Sequence, residues 1–158
     1  MPRIAVFAGT FDPFTLGHQD IALRGLALYD KLVIAIGLNA LKRPFFSTEN
    51  RLAMIRDAFP NDPRVEVTAF DGLTTDLCHR LGAAFLLRGL RSATDFDYER
   101  TIAQANTMIA PDVETVFLMS RPEHGAITST VVRDLLAHGH EVGAFLPAGV
   151  DVTRYLPH

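Results

Sequence analysis

The chain has 158 residues, 48% of them apolar, enough to bury a core without staples, which excludes a disordered chain. Its single cysteine, Cys78, excludes a disulfide framework and a cysteine-rich zinc site. A net charge of -3 argues against a broad nucleic-acid-binding face but leaves room for local cationic clusters that hold small anions. No apolar run is long enough to span a bilayer, and the opening "MPRIAVFAGTFDP" lacks the apolar core and cleavage site of a signal peptide. A cytoplasmic protein with one domain over residues 1–158 is therefore expected.

In chain order, residues 3–8 ("RIAVFA") read as a first strand. A helix over 16–29 places Ile21, Ala22, Gly25, Leu26 and Tyr29 on one face. Residues 32–37 ("LVIAIG") form the second strand. A helix over 48–59 follows, with Ser47 as N-cap and Leu52, Ile55 and Phe59 together. Strand 64–70, helix 73–81, strand 84–88, helix 94–109 and strand 114–119 come next. Helical pattern alone fills the remainder: 128–138, then short pieces near 140–145 and 148–155. Several strands are apolar throughout, as in parallel sheets covered on both faces. The alternation predicts an α/β fold: a doubly wound, five-stranded parallel sheet with right-handed crossovers and C-terminal helices. Ligands of such sheets bind beyond the carboxyl ends of the strands.

The chemistry-bearing residues fall at those ends. "GTFDPFTLGH", 9–18, leaves the first strand and enters the first helix. Gly9 offers backbone freedom, Pro13 stiffens the turn, and Thr15 can cap the helix, putting His18 in its first turn. Unpaired N–H groups there make an anion seat that Gly17 lets a ligand approach and His18 can reach. Lys42 lies just past the second strand. Arg88 and Arg91 flank the end of the fourth, a spacing that suits a phosphate chain or else an ion pair with Asp95 or Asp97. Thr128, Ser129 and Thr130 open the helix after the fifth, where they can cap the helix or bind an anion. Neither a Gly-x-x-x-x-Gly-Lys-Ser/Thr loop nor a Gly-x-Gly-x-x-Gly fingerprint is present. Together the four strand ends point to one polyphosphate site. Cys78 reads as packing, and His138 with His140 as a loop between helices.

"GTFDPFTLGH" resembles the Thr/His-x-Gly-His motif of the nucleotidyltransferases, and "AITSTVVRD", 126–134, resembles their second motif, Ile-Ser-Ser-Thr-x-x-Arg. The segment "LLRGLRSATDFDYE", 86–99, is similar to that of the bacterial phosphopantetheine adenylyltransferase family. The similarity runs from Ile4 to about Leu146. The resemblance implies a Rossmann-like nucleotidyltransferase fold that transfers the adenylyl group of ATP to 4′-phosphopantetheine, giving dephospho-coenzyme A and pyrophosphate. It implies Mg2+ carried on the ATP phosphates rather than on protein side chains, a homohexamer, and coenzyme A as feedback inhibitor. His18, Thr10, Lys42 and Arg91 would be catalytic. Thr10, Phe11, His18, Gly89, Leu90, Arg91, Glu99 and the stretch His124, Gly125, Ala126, Ile127, Thr128, Ser129, Thr130 would bind ATP. Thr10, Lys42, Thr74 and Arg88 would bind phosphopantetheine. The chain departs from the family at His124–Ala126, where an aromatic and a Ser-Phe pair are usual, at Thr128 for a serine, and at Ala8 for a proline. Nicotinate mononucleotide or glycerol 3-phosphate are the rival acceptors within the superfamily, and a silent nucleotide sensor is the rival outside catalysis. The Arg-Gly-Leu-Arg segment at 88–91 favours phosphopantetheine.

Overall fold

The computed structural model describes residues 1–157. Its strands are β1 (Ile4–Gly9), β2 (Lys31–Gly37), β3 (Val65–Phe70), β4 (Phe85–Leu90) and β5 (Glu114–Met119). Its α-helices are α1 (Leu16–Leu26), α2 (Thr48–Ala58), α3 (Thr74–Leu81), α4 (Ala93–Ile109) and α5 (Ser129–Ala137). The strands are all parallel and ordered β3-β2-β1-β4-β5. The expected α/β fold is therefore present. β1 and β2 are buried nearly throughout, as their apolar runs predict, whereas β3 and β5 at the sheet edges are partly open.

Most boundaries shift by a residue, and several differ more from expectation. α1 ends at Leu26 rather than 29, because the chain turns there to pair with β1: Asp30 N–H donates to the Arg3 carbonyl. Tyr29 is nonetheless buried, its ring 5.0 Å from that of Phe85. β4 continues to Leu90, so Gly89 belongs to the sheet rather than to the loop. The pieces near 140–145 and 148–155 are single 3-10 turns at Gly143–Phe145 and Val152–Arg154. A further turn, Pro122–His124, had no periodic signal to reveal it.

The core has three parts. Phe7, Ile34, Ile36 and Leu87 on one sheet face meet Ile21 and Leu26 of α1 and Ile55 of α2. Val6, Ala8, Val33 and Leu86 on the other face meet Leu77 and Cys78 of α3. Each such side chain contributes roughly 1.5–3 kcal/mol when fully buried. Burial pushes the Cys78 thiol up to about 11, so it packs rather than reacts. The third cluster joins Phe46 and Met54 to Val132 of α5 and to Val142, Leu146 and Val152 of the C-terminal segment. That segment therefore holds α5 against α2. The connections run one way from β1 to β2 and the other way to β4, which makes the β1–β4 junction the switch point where such sheets bind ligands.

Candidate active site

A cleft of about 300 Å³ opens at that junction, between the carboxyl ends of β1 and β4. Thr10, Phe11, His18 and Arg88 line it, as do Gly89, Arg91 and Glu99. His124 and residues 127–130 close one side. Lys42 lines an adjoining cavity of about 890 Å³ that shares Thr10, Thr130 and Arg133 with the cleft. Thr74 lines a third, of about 150 Å³, reached past Arg88 and Glu99. Leu90 is buried in β4, and Gly125 and Ala126 lie exposed beside the cleft. The structure thus brings most of the expected residues together and places Lys42 and Arg88 in separate cavities that share Thr10.

The first motif is built around a capping box. The Thr15 hydroxyl accepts from the His18 backbone N–H, and His18 Nδ1 accepts from the Thr15 backbone N–H at 2.9 Å. Glutamate or glutamine is the usual partner in such a box; here the imidazole takes its place. Because Nδ1 is an acceptor, the proton of the neutral ring resides on Nε2. The ring stacks on Phe14 at 5.4 Å and meets Phe11 edge-on at 5.0 Å. Burial, aided by the Arg91 and Arg88 guanidiniums, pushes its pKa down to about 3. His18 is therefore neutral at physiological pH with Nε2–H as donor.

Phe11 adopts φ +49°, a conformation that costs a non-glycine residue roughly 1–3 kcal/mol. The Asp12–Pro13 peptide is cis. Gly9 serves this turn differently from expectation. It is a strand residue, and what matters is its missing Cβ, which would lie 2.9 Å from the Phe11 ring. Gly9→Ala should displace that ring and cost about 1–3 kcal/mol, a fall in Tm of roughly 2–4 °C per kcal/mol. Differential scanning calorimetry checks it; an unchanged Tm would show that the ring relaxes freely.

On the β4 side, Glu99 from α4 grips Arg88 through both oxygens, at 2.9 Å to Nε and 2.5 Å to one terminal nitrogen. The other terminal nitrogen donates to the Ala8 carbonyl. Arg88 pairs with neither Asp95 nor Asp97, as one reading of its spacing had it; Arg91 does pair with Asp95, at 3.6 Å. On the α5 side the three hydroxyls divide their tasks. Thr128 caps the helix, Ser129 donates to the Pro13 carbonyl at 2.8 Å, and Thr130 accepts from Arg133 at 3.2 Å. Arg133 also donates to the Asp12 carbonyl at 2.7 Å, joining the second motif to the first. Asp20 accepts from Arg24 and Arg121 and lies 3.8 Å from His124 Nδ1. That buried nitrogen finds no hydrogen-bond partner among the described residues.

Asp12, Arg51 and Arg133 are the site residues that sequence reasoning did not single out. Arg133 had a signal, as the arginine of the second motif. Arg51 had another: it shares a helix face with Met54, Ile55 and Ala58, an apolar stripe interrupted by one charge.

The fold and site define a nucleotidyltransferase. The family model described as Cytidylyltransferase-like matches residues 6–135. The phosphopantetheine adenylyltransferase of Phocaeicola vulgatus is 47% identical over 150 residues, covering 95% of this chain and 99% of that protein. That of Flavobacterium psychrophilum is 44% identical with the same coverage of both chains. The chain belongs to the phosphopantetheine adenylyltransferase family. The fold is also shared with a bifunctional NMN adenylyltransferase/ADP ribose pyrophosphatase from Francisella tularensis. There the TM-score is 0.71 at 18% identity, over 97% of this chain and 47% of that one.

Proposed function

We propose that the chain transfers the adenylyl group of ATP to 4′-phosphopantetheine, giving dephospho-coenzyme A and pyrophosphate in coenzyme A biosynthesis, with residues 1–158 acting as one nucleotidyltransferase domain. The observation that carries this reading is the cation-lined cleft at the β1–β4 switch point, with a neutral histidine donor beside Thr10 and Arg88. A pyrophosphate-release assay with phosphopantetheine, nicotinate mononucleotide and glycerol 3-phosphate tests it. Turnover with phosphopantetheine is expected; turnover with another acceptor alone, or ATP binding without turnover, would overturn it.

The acceptor brings its own nucleophile, a phosphate oxygen already anionic at neutral pH, so the reaction needs no general base. The barrier lies in bringing one polyanion in line against another, and it yields to positioning and to fixed positive groups. Arg88, held by Glu99, would take the acceptor phosphate with Thr10 and Lys42. His18 Nε2–H and Arg91 would meet the charge that builds on the α-phosphate. Thr130, Arg133 and the N-terminus of α5 suit the β- and γ-phosphates. Residues 124–127 would cover the adenine. Phe11 and Leu90 are turned into the core, so what they offer a ligand is backbone. The cavity of Thr74, Ile102 and Asn106 suits a neutral amide chain such as the pantetheine arm.

Magnesium would arrive on ATP, neutralising phosphate charge. The carboxylates beside the cleft are already engaged: Asp12 by backbone N–H groups, Asp95 by Arg91, Glu99 by Arg88. The phosphate oxygens are thus left to carry the ion. An oligomer, for which the resemblance implies a homohexamer, is supported by α4, which buries only Glu99 of its 17 residues and leaves Phe96, Ile102, Met108 and Ile109 exposed. Coenzyme A, which contains both the pantetheine arm and the adenylyl group, would compete for the same cavities as a feedback inhibitor. No helix of the described residues is long and apolar enough to cross a membrane, in keeping with a cytoplasmic location.

A further inference from the structure

Two buried charged residues, Asp12 and Arg51, each 4% exposed, line the Lys42 cavity, and Asp12 lines the cleft as well. Asp12 uses both carboxylate oxygens on consecutive backbone N–H groups, those of Phe45 at 2.7 Å and Phe46 at 2.9 Å. Arg51 donates to the Phe46 carbonyl at 3.1 Å, to the Thr10 carbonyl at 2.8 Å and to the Thr48 hydroxyl at 3.2 Å. The Phe46 residue is thus held at its N–H by one residue and at its C=O by the other, while its ring is buried in the third core cluster. Buried backbone groups need such partners, and losing one costs about 1–3 kcal/mol.

These bonds define an arch. At its start, Leu38 N–H donates to the Phe70 carbonyl at the end of β3. At its finish, Phe45 and Phe46 are fastened to Asp12 and Arg51. Residues 39–44 between them are exposed. The bonds within the arch are short-range: Lys42 N–H to the Asn39 carbonyl, and Leu41 N–H to the Asn39 side chain. Lys42 sits near the crown, and nothing in the arch itself fixes its distance from Thr10. The far foot does, because Asp12 and Arg51 fasten it to the same segment, 10–12, that begins the phosphate-binding turn. Arg133 adds the second motif to that node through the Asp12 carbonyl.

We propose that Asp12 and Arg51 are positioning residues for Lys42, clamping its arch to the Thr10–Asp12 turn so that Lys42, Thr10 and Arg133 hold a fixed spacing across the reacting phosphates. This inference rests on the proposed adenylyl transfer for its kinetic consequence, but its structural core does not.

Two measurements test it on the full chain. In the first, Asp12→Asn and Arg51→Lys are each made alone and with Lys42→Ala, and kcat/KM is read for phosphopantetheine. Asn keeps the shape of Asp12 but sets an amide donor against one N–H; Lys keeps the charge of Arg51 but cannot span three acceptors. Each single variant should lose about 10- to 100-fold, as a small misplacement of a charged group does, yet lose less than about twofold further once Lys42 is alanine. Full multiplicative losses in the Lys42→Ala background would show that the pair does not act through Lys42, and would overturn the proposal. In the second, native-state trypsin cleavage after Lys42 is timed, the Arg43–Pro44 bond being resistant. Faster cleavage at Lys42 in both variants, with other sites unchanged, supports the clamp. Equal rates in folded variants, or acceleration everywhere, overturn it. If one variant fails to fold, the other is read in both assays. Should the wild-type chain turn over no phosphopantetheine, the proposed activity falls and proteolysis still decides on the clamp.

Discussion

His18→Asn should lower kcat by about 10²–10³-fold while moving either KM by less than about threefold. The reason lies in the two ring nitrogens. Nδ1 is bound to the Thr15 backbone N–H and belongs to the helix cap. Nε2, with its proton, is the atom left for the phosphate. Asparagine can place its amide oxygen where Nδ1 was, so it keeps the cap and loses the donor. Glutamine can hold the Thr15 N–H as the usual partner in such a box, or turn its amide to where Nε2–H was, but not both at once. His18→Gln should therefore keep more activity than His18→Asn, giving up the cap, worth about 0.5–2 kcal/mol, only while its amide serves the phosphate. The opposite ranking in activity, or a change confined to KM, would remove the transition-state role from Nε2.

The same geometry fixes a pH dependence. The folded ring takes a proton only near pH 3, whereas an unfolded histidine takes one near pH 6.5. Between those values the unfolded chain binds more protons, so stability falls as pH drops from about 6.5 towards 3 and is flat above. Protonation would also put a second hydrogen against the Thr15 N–H and break the cap. In the unliganded protein the His18 Hε1 NMR signal should stay unshifted from pH 8 to pH 5. A midpoint near 6.5 would mean that the ring is neither buried nor bound as described. Bound polyphosphate acts against this by favouring the cation, so the pH profile of kcat reports the balance in the complex.

How much of this was legible in the sequence depends on the span over which each residue finds its partner. The apolar runs of β1 and β2 declare buried strands because burial on both faces is a local compositional demand. The cap at Thr15 was legible because its partner lies three residues away. Arg88 and Arg91 were legible as a pair of cations, but their partners were not equally so. Asp95 is one helical turn from Arg91, whereas Glu99 reaches Arg88 only because α4 folds back over β4. Asp12 and Arg51 lie further from view, since the bonds of Asp12 to Phe45 and Phe46 and of Arg51 to Thr10 span 33 to 41 residues, and Arg133 meets Asp12 across 121. Periodicity carries no information about such distances. A charge on an apolar helix face, as at Arg51, says that a buried partner must exist without saying which.

Glu99→Gln should raise the KM for phosphopantetheine about tenfold and leave the KM for ATP nearly unchanged. Glu99 lines the cleft, yet both its oxygens are engaged by Arg88. A bidentate carboxylate fixes the plane of a guanidinium as well as its position. The Ala8 carbonyl fixes a third point, so the N–H groups of Arg88 that remain are aimed rather than free. Glutamine keeps the shape and one acceptor but turns a donor towards a cation, so the plane is no longer held. Removing one partner of a fully buried pair costs about 3–5 kcal/mol. Here the Arg88 side chain is 33% exposed, and solvent screening reduces the cost to about 1–3 kcal/mol, which calorimetry would show as a lower Tm. A contrary electrostatic effect exists: with Glu99 neutral, Arg88 carries more uncompensated charge and could attract a phosphate more strongly. The two effects differ in sign, so the acceptor KM decides between them. A rise means that Glu99 aims Arg88; a fall means that it only neutralises it. A rise in the ATP KM alone would return Glu99 to the nucleotide side of the cleft.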